Sequence, residues 1–350
     1  MISVTNFVLI SLLKSVIAIA LLLTAVAYLT WFERKLVGHI QNRWGPSRVG
    51  PFGLLQPVAD GLKFIFKEDI TPPYVNKLLY LAAPLIALAL ALTSIAVIPF
   101  SPPVEVGGVQ TAFQITDVNV GLLIILGITS VGVYGIALAG WASNNKYSLL
   151  GSLRSSAQMV SYEVALGLSL IGVLMLARSF SLQAIVTAQH GLRWGWLPNW
   201  NILTGGQIVA FFVYICAAFA ETNRVPFDLP EAETELVAGY HTEYSSMKFA
   251  MFFMAEYANM FTVACLASIL FFGGWTGPIF GFAPYSWPAG LLHVLWFALR
   301  IFFFLFVYVW VRGTLPRFRY DQLMTFCWKV LLPLSIANIL VTALVVALRA

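Results

Sequence analysis

Charged residues are scarce in this chain, and their scarcity argues against a water-soluble domain. Only 10% of the 350 residues are Asp, Glu, Lys or Arg, whereas a soluble domain carries about 25%. Hydrophobic residues make up 60% of the sequence, so too few polar side chains remain to cover a globule in water. The sequence therefore predicts a protein that lies in a membrane.

Cysteines and nucleotide-binding motifs are also missing or rare. The three cysteines, Cys216, Cys265 and Cys327, form no C-x-x-C pair, which argues against a disulfide framework, a zinc site or an iron–sulfur cluster. No glycine-rich phosphate loop occurs, and no loop is long enough to fold as a nucleotide-binding domain. The basic residues form no continuous patch, so we expect no nucleic acid partner. Any flavin, iron–sulfur cluster or nucleotide is expected on partner subunits.

Long apolar runs recur along the chain, and their lengths match the thickness of a bilayer. About 20 apolar residues in a helix cross a hydrocarbon core of about 30 Å. Backbone groups in lipid must bond internally, so these runs are expected to be helices. The sequence thus predicts an all-α polytopic membrane protein of about eight transmembrane helices, with residues 1–350 forming a single membrane domain. The predicted spans lie near residues 7–31, 78–99, 118–140, 156–177, 206–221, 247–272, 290–311 and 328–348.

Basic residues gather in the loops on one side of these eight spans. Fifteen of the 20 Lys and Arg fall there, three fall on the other side, and two fall within spans. By the positive-inside rule, the basic side is cytoplasmic and both termini lie outside. The fifteen are Arg34, Lys35, Arg43, Arg48, Lys63, Lys67, Lys77, Lys146, Arg154, Arg224, Lys248, Arg312, Arg317, Arg319 and Lys329.

The cytoplasmic loop over 32–77 contains a predicted helix of its own, over 52–67. Polar residues Gln56, Asp60 and Lys63 recur at helical steps of four and three, with apolar side chains on the opposite face. This pattern predicts an amphipathic helix that lies in the plane of the membrane interface or against a partner.

Four carboxylates fall within the apolar runs or at their ends. Glu33 and Glu221 close the first and fifth runs on the basic side. Glu163 and Glu256 lie on the order of 10–14 Å below the inner surface, at 1.5 Å per helical residue. A charge at that depth is costly, and it usually faces a protein interior or a water-filled cavity.

Two interpretations of these carboxylates stay open at this point. Glu163 and Glu256 could simply pair with Arg154 or Arg300. Alternatively, closely spaced carboxylates in a low dielectric raise one another's proton affinity and so form a path for protons or cations. Their alignment with the basic loops favours the ion path.

The cytoplasmic loop over 222–246 is acidic although it lies on the basic side. Asp228, followed by Leu, Pro and Glu231, has the form of a capping box, so a short helix is predicted to begin at Asp228. Glu231 and Glu235 share one face of that helix, and Glu233 points away. Such a run is usually a solvated loop, but here it lies beside the membrane carboxylates.

Three segments of the sequence resemble one family closely. Residues 31–68, 143–164 and 220–257 read WFERKLVGHIQNRWGPSRVGPFGLLQPVADGLKFIFKE, SNNKYSLLGSLRSSAQMVSYEV and AETNRVPFDLPEAETELVAGYHTEYSSMKFAMFFMAEY. They resemble the H subunit of proton-translocating NADH:quinone oxidoreductase (respiratory complex I), the counterpart of mitochondrial NADH dehydrogenase subunit 1. The resemblance extends over essentially the whole chain, and the chain looks bacterial.

The resemblance implies a subunit of the bacterial inner membrane that joins a peripheral electron-transfer arm to a proton-pumping arm. Quinone, either ubiquinone or menaquinone, would be the substrate, and the terminal iron–sulfur cluster would belong to a neighbouring subunit. The adjacent small membrane subunits would be further partners. By motif, the quinone-binding residues would be Arg34, Arg43, Asp60, Arg224, Asp228 and Phe253, the last as a wall for the isoprenoid tail. The proton path would comprise Glu33, Glu163, Glu221, Glu231, Glu233, Glu235, Glu243 and Glu256.

Two other functions remain open on the sequence alone. One is the homologous membrane subunit of a membrane-bound hydrogenase or formate hydrogenlyase, and nickel without flavin in the purified complex would indicate it. The other is a stand-alone ion-coupled transporter. The intact motifs around Arg34 and Arg224 favour the quinone enzyme, and the lack of paired broken helices argues against a transporter.

Overall fold

The protein is built almost entirely from helices. The computed structural model describes residues 4–106, 109–193, 195–228, 237–283 and 285–349. Its α-helices are α1 Val4–Ile40, α2 Gln56–Phe66, α3 Lys77–Thr93, α4 Gly121–Ala142, α5 Lys146–Ala177, α6 Leu182–Ala188, α7 Gln207–Glu221, α8 Ser246–Phe271, α9 Trp287–Thr314, α10 Tyr320–Phe326 and α11 Leu332–Arg349. Two short antiparallel hairpins pair β1 Val104–Val106 with β2 Val109–Thr111, and β3 Leu192–Arg193 with β4 Leu197–Pro198.

Within the described residues, seven helices are long and apolar enough to cross a membrane. They correspond to seven of the eight predicted spans and confirm an all-α polytopic membrane fold. The predicted span at 206–221 corresponds to α7, whose 15 residues give a length of about 22 Å. Because that is shorter than a hydrocarbon core of about 30 Å, the count of eight stays a prediction.

The first helix is longer than the apolar run that predicts it. The run ends near residue 31, whereas α1 continues to Ile40. The chain leaves the helix at Asn42, which has a φ of 54° in the left-handed region that asparagine tolerates. Glu33 therefore lies within the helix, and not at its end.

A separate helix, α2, occupies residues 56–66 of the predicted 52–67 segment. It begins later than predicted because a 3₁₀ turn at Pro51–Gly53 comes first. Gly53 has a φ of 77°, and a Cβ there would lie 2.3 Å from the Pro46 carbonyl oxygen, so only glycine fits. The helix contacts α1 and α8, and none of its residues is buried. Its placement in the plane of a membrane stays a prediction.

The centre of the bundle is formed by α5 and α8. Helix α5 packs against α4, α7 and α11, and α8 packs against α3 and α9. Buried tyrosines tie the helices together, because a buried hydroxyl needs a hydrogen-bond partner. Tyr162 donates to the Leu323 carbonyl oxygen at 2.8 Å, and Tyr214 donates to the Val263 carbonyl oxygen at 2.8 Å. These two hydrogen bonds link α5 to α10 and α7 to α8.

A short 3₁₀ turn, Gly239–His241, is pressed against α5. The two backbones approach closely, since a Cβ on Gly151 would lie 2.8 Å from the Gly239 Cα atom. This approach brings Tyr240 into the bundle, where it is 1% exposed.

Candidate functional site

Glu33 projects from α1 into the protein interior, where its side chain is 9% exposed. Arg312, near the end of α9, donates a hydrogen bond from Nη1 to Glu33 Oε1. The hydroxyl of Tyr257 on α8 donates to Glu33 Oε2 at 2.9 Å. Arg224 Nη1 lies 3.8 Å from the same oxygen. The carboxylate of α1 thus contacts groups from two other helices and from the segment after α7.

Arg224 lies in the segment that follows α7, and its side chain is only 6% exposed. Its guanidinium carbon lies 4.2 Å from the centre of the Tyr257 ring, in the range of a cation–π contact. Its Nη2 atom lies 3.8 Å from Glu256 Oε2. Arg224 is therefore shared between the carboxylates of Glu33 and Glu256.

Glu256 continues the series on the far side of Arg224. The hydroxyl of Tyr240, held by the turn against α5, donates to Glu256 Oε1 at 2.9 Å. Glu256 itself is 8% exposed. Two guanidinium groups thus alternate with two carboxylates, so the charges balance. We call Arg312, Glu33, Arg224, Glu256 and Tyr240 the buried ion chain.

A narrow cavity lies beyond the buried ion chain. Its volume is about 30 Å³, which is room for about two water molecules. Its polar lining includes Glu256 and Tyr240, both of the buried ion chain, and Glu221. Thr129, Thr222, Asn223 and Asn259 complete that polar lining. The cavity therefore joins the buried ion chain to the carboxylate at the end of α7.

Glu163 lies on α5 and is partly buried. It accepts a hydrogen bond from the hydroxyl of Ser130 on α4. Glu221 ends α7, which packs against α5, so the two carboxylates lie on neighbouring helices. The sequence had left open that Glu256 pairs with Arg154 or Arg300. In the structure Glu256 lies beside Arg224.

Next to Glu33 on α1, Arg34 is turned about 100° around the helix, and its side chain is 52% exposed. Its Nη1 donates to Asp60 Oδ2 of α2 at 2.6 Å. Gln56 Nε2 donates to the other oxygen of Asp60 at 3.1 Å. Arg43 lies apart from this pair, is exposed, and donates from Nε to Gln41 Oε1 at 2.8 Å. The structure thus brings together Arg34 and Asp60, but not Arg43.

Aromatic rings line the contact between α2 and α8. Phe64 of α2 lies 6.3 Å from Phe249, and Phe249 lies 4.6 Å from Phe253, measured between ring centroids. The ring of His241 lies 6.2 Å from that of Phe253. Phe253 is therefore part of an apolar wall that continues from α2 to the turn holding Tyr240.

Glu243 joins three segments of the chain by hydrogen bonds. It accepts hydrogen bonds from Tyr74 at 2.9 Å and from Asn145 Nδ2 at 2.6 Å. Its backbone oxygen accepts from the Tyr80 hydroxyl at 2.7 Å. The hydrogen bond to the Glu243 carboxylate raises the pKa of Tyr74, because a phenolate could not donate it. Glu243 thus fixes the loop before α3 to the segment before α8.

Asp228 has a basic partner that the sequence did not predict. Arg317 Nη2, in the connection between α9 and α10, donates to Asp228 Oδ2 at 2.9 Å. The side chain of Asp228 is 7% exposed. The helix predicted to begin at Asp228, together with Glu231, Glu233 and Glu235, lies outside the described residues.

Several functional groups were missed by reasoning from the sequence. Arg312 was placed on the basic side but given no partner, and Tyr240, Tyr257 and Arg317 carried no local signal. A tyrosine or an arginine at a helix end looks the same whether it faces lipid, water or a buried carboxylate. Within the described ranges, no group of three or more metal-ligating side chains occurs, and all three cysteines are free thiols.

Known proteins that are similar to this chain identify one family. The sequence profile of the family described as NADH dehydrogenase matches residues 13–343. The second NADH-quinone oxidoreductase H subunit of Koribacter versatilis (strain Ellin345) is 68% identical, over 99% of this chain and 99% of the relative. The first H subunit of the same enzyme in Solibacter usitatus (strain Ellin6076) is 51% identical, over 98% of both chains. The H subunit from Thermomicrobium roseum (strain ATCC 27502 / DSM 5159 / P-2) is 53% identical, over 96% of both.

Proposed function

This chain belongs to the NADH dehydrogenase family, and from that membership we propose that it is a membrane subunit of a proton-translocating NADH:quinone oxidoreductase. It acts as a non-autonomous part of that translocase. It helps to form the chamber that receives the quinone headgroup, and it couples quinone reduction to proton movement through buried carboxylates. Peripheral-arm subunits supply the electrons from a terminal iron–sulfur cluster, and small membrane subunits adjoin it. The protein lies in the bacterial inner membrane with both termini on the outer side.

The quinone chamber lies on the basic side, where α1, α2 and α8 meet. Arg34 offers a hydrogen-bond donor for a carbonyl oxygen of a quinone headgroup, and Asp60 offers an acceptor for a hydroxyl of the reduced headgroup. The aromatic wall of Phe249 and Phe253 suits an isoprenoid tail, which needs apolar contact without hydrogen bonds. Because Glu33 and Arg34 are neighbours on α1, a headgroup bound beside Arg34 lies next to the start of the buried ion chain.

The observation that carries the proposal is the guanidinium of Arg224, which is shared between two carboxylates. Its nitrogens lie 3.8 Å from the oxygens of both Glu33 and Glu256. A proton that neutralises one carboxylate leaves the positive charge of Arg224 to act on the other. In a low dielectric that change alters the proton affinity of the second carboxylate. A protonation event at Glu33 is thereby transmitted to Glu256 without a direct contact between them.

Quinone reduction takes two electrons and two protons, and it changes the charge beside Glu33. The first carboxylate responds by exchanging a proton, and Arg224 transmits the change to Glu256. From Glu256 a proton crosses the narrow cavity to Glu221, and then reaches the neighbourhood of Glu163. Tyr240 holds the Glu256 carboxylate in place throughout by its hydrogen bond. This sequence moves charge from the chamber into the membrane.

The test replaces buried carboxylates with the amide of the same shape. Glu256→Gln and Glu163→Gln in the assembled complex, reconstituted in vesicles, should lower proton pumping per quinone reduced, because an amide cannot carry a proton between partners. Quinone reduction by NADH and acidification of the vesicle interior are measured on the same preparation. Glu105→Gln is the matched control, since Glu105 is an exposed carboxylate in a hairpin, outside the helices.

The outcomes separate the proposal from its alternatives. If both buried variants reduce quinone and pump protons at the rate of the unmodified complex, the role assigned to the carboxylates is wrong. The combined replacement of Glu231, Glu233 and Glu235 with Gln applies the same test to the acidic loop. A purified complex that contains nickel and lacks flavin would instead indicate a hydrogenase-type assembly.

A further inference from the structure

A large apolar groove runs along α1 on a face that the quinone and proton sites do not use. Its volume is about 1410 Å³, and its walls come mainly from α1 and α9. On α1 the lining extends from Leu9 to Phe32, a length of about 35 Å at 1.5 Å per residue. The groove is therefore long enough to hold the acyl chain of a phospholipid, which spans about half of a hydrocarbon core of about 30 Å.

One end of this groove carries a single cationic side chain, Lys14. Its Nζ atom donates to the carbonyl oxygen of Ala112 at 3.1 Å, which holds the ammonium at the rim. Among the residues that the structure describes, no carboxylate lies within ion-pair distance of Lys14. Thr111 and Trp287 line the same end. The rest of the lining is almost wholly apolar, so this end alone offers charge to a ligand.

The position of Lys14 along α1 places it at the level of lipid headgroups. It precedes Glu33 by nineteen residues, which corresponds to about 28 Å along the helix. That distance matches a hydrocarbon core of about 30 Å. When Glu33 lies near one membrane interface, the ammonium of Lys14 lies near the other.

We propose that this groove binds an anionic diacyl phospholipid, with its phosphate at Lys14 and its acyl chains along α1 and α9. Charge complementarity decides between the possible occupants. An apolar helix of a partner subunit would leave the ammonium of Lys14 against hydrocarbon, and an isoprenoid tail carries no anion to meet it. A phospholipid supplies an anionic headgroup for Lys14 at one end of the groove and apolar chains for the rest of its lining.

The test compares lipid retention by the assembled complex in nanodiscs made with phosphatidylglycerol or with phosphatidylcholine. Lys14→Gln should retain about fivefold less phosphatidylglycerol, the equivalent of the roughly 1 kcal/mol that one lysine contributes near an anionic surface. Lys14→Arg keeps the charge and should retain the lipid. Neither variant should change the retention of phosphatidylcholine.

A second pair of variants tests the groove itself. Ala18 lines the groove, so Ala18→Phe should fill it and displace the acyl chains. Ala20→Phe is the matched control, because Ala20 lies on the same helix, is exposed and does not line the groove. Retained lipid is identified by mass spectrometry after extraction.

Three results would overturn the lipid site. The first is that the Lys14→Gln variant retains phosphatidylglycerol, like phosphatidylcholine, as well as the unmodified complex does. The second is that the Ala18→Phe and Ala20→Phe variants retain equal amounts of phosphatidylglycerol. The third is a photo-crosslinker at Ala18 that captures another subunit or a quinone in place of a phospholipid. None of these readouts depends on proton pumping, so they leave the proposed function untouched.

Discussion

Among the cationic residues of the protein, Arg224 is the one whose replacement should lower the free energy of unfolding most. Arg224→Leu leaves Glu33 and Glu256 without the guanidinium that they share. Its side chain is 6% exposed, and those of the two carboxylates are 9% and 10% exposed. Removing one partner from such a buried group leaves an uncompensated charge, which costs about 3–5 kcal/mol. The stacking of the guanidinium on Tyr257 is lost as well.

The matched comparison is Arg34→Leu, because Arg34 also pairs with a carboxylate but is 52% exposed. Exposed pairs contribute about 0–1 kcal/mol, so this variant should lose at most that much. A double variant, Arg224→Leu with Glu256→Gln, should recover part of the loss, since the second change removes an unpaired negative charge. The difference between the single and double variants gives the coupling between the two side chains.

The assay is denaturant unfolding of the full-length chain in detergent micelles, followed by tryptophan fluorescence. The unfolding midpoint and slope give the free energy of unfolding for each variant. A loss below about 1 kcal/mol for Arg224→Leu would show that the buried ion chain is hydrated and only weakly coupled. A double variant that is no more stable than Arg224→Leu would refute the assignment of Glu256 as its partner.

Three further predictions follow from particular contacts. Gly132 lines the narrow cavity, and a Cβ atom there would meet no other atom within 4 Å, so Gly132→Val should fill the cavity and slow proton pumping. Gly127 lies on the same helix with the same open space but outside the cavity, so Gly127→Val should leave pumping unchanged. The raised pKa of Tyr74 means that its bond to Glu243 is intact below pH 10.0 and is lost as pH rises through that raised pKa. Limited proteolysis of the neighbouring loop should therefore increase only above pH 10 in the unmodified protein, but occur at every pH in Tyr74→Phe. Phe253→Ala should raise the KM for a long-tailed quinone several-fold with kcat unchanged, and leave the KM of a tail-less analogue as it was.

The class of the protein followed from the sequence because hydropathy is a local property. A window of about 20 residues contains all the information that decides whether a helix can lie in lipid. The all-α membrane fold is confirmed for this reason. The family resemblance carried by three segments is confirmed as well. The same local argument misjudged the end of α1, because the run stops near residue 31 while the helix continues to Ile40.

The candidate site was predictable only in part. Of the two carboxylates beside Arg224, Glu33 was predicted only to close an apolar run, whereas the buried position of Glu256 followed from its depth in one. Their shared partner did not, because Arg224 lies outside both helices and its depth depends on the turn after α7. Arg43 shows the limit of a motif, because a motif gives the position of a residue in the chain but not the direction in which its side chain points. The side chain of Arg43 is exposed and bonds to Gln41.

The sequence by itself determined which segments are apolar enough to cross a membrane, which loops carry the basic residues and which acids fall within apolar runs. Only the tertiary structure decided which charges meet. Glu33, Arg224, Glu256 and Arg312 are far apart in the chain, and their contacts depend on the rotation of each helix about its axis. That rotation is set by packing across the whole bundle. No window of sequence contains it, so the buried ion chain became visible only when the helices were placed together.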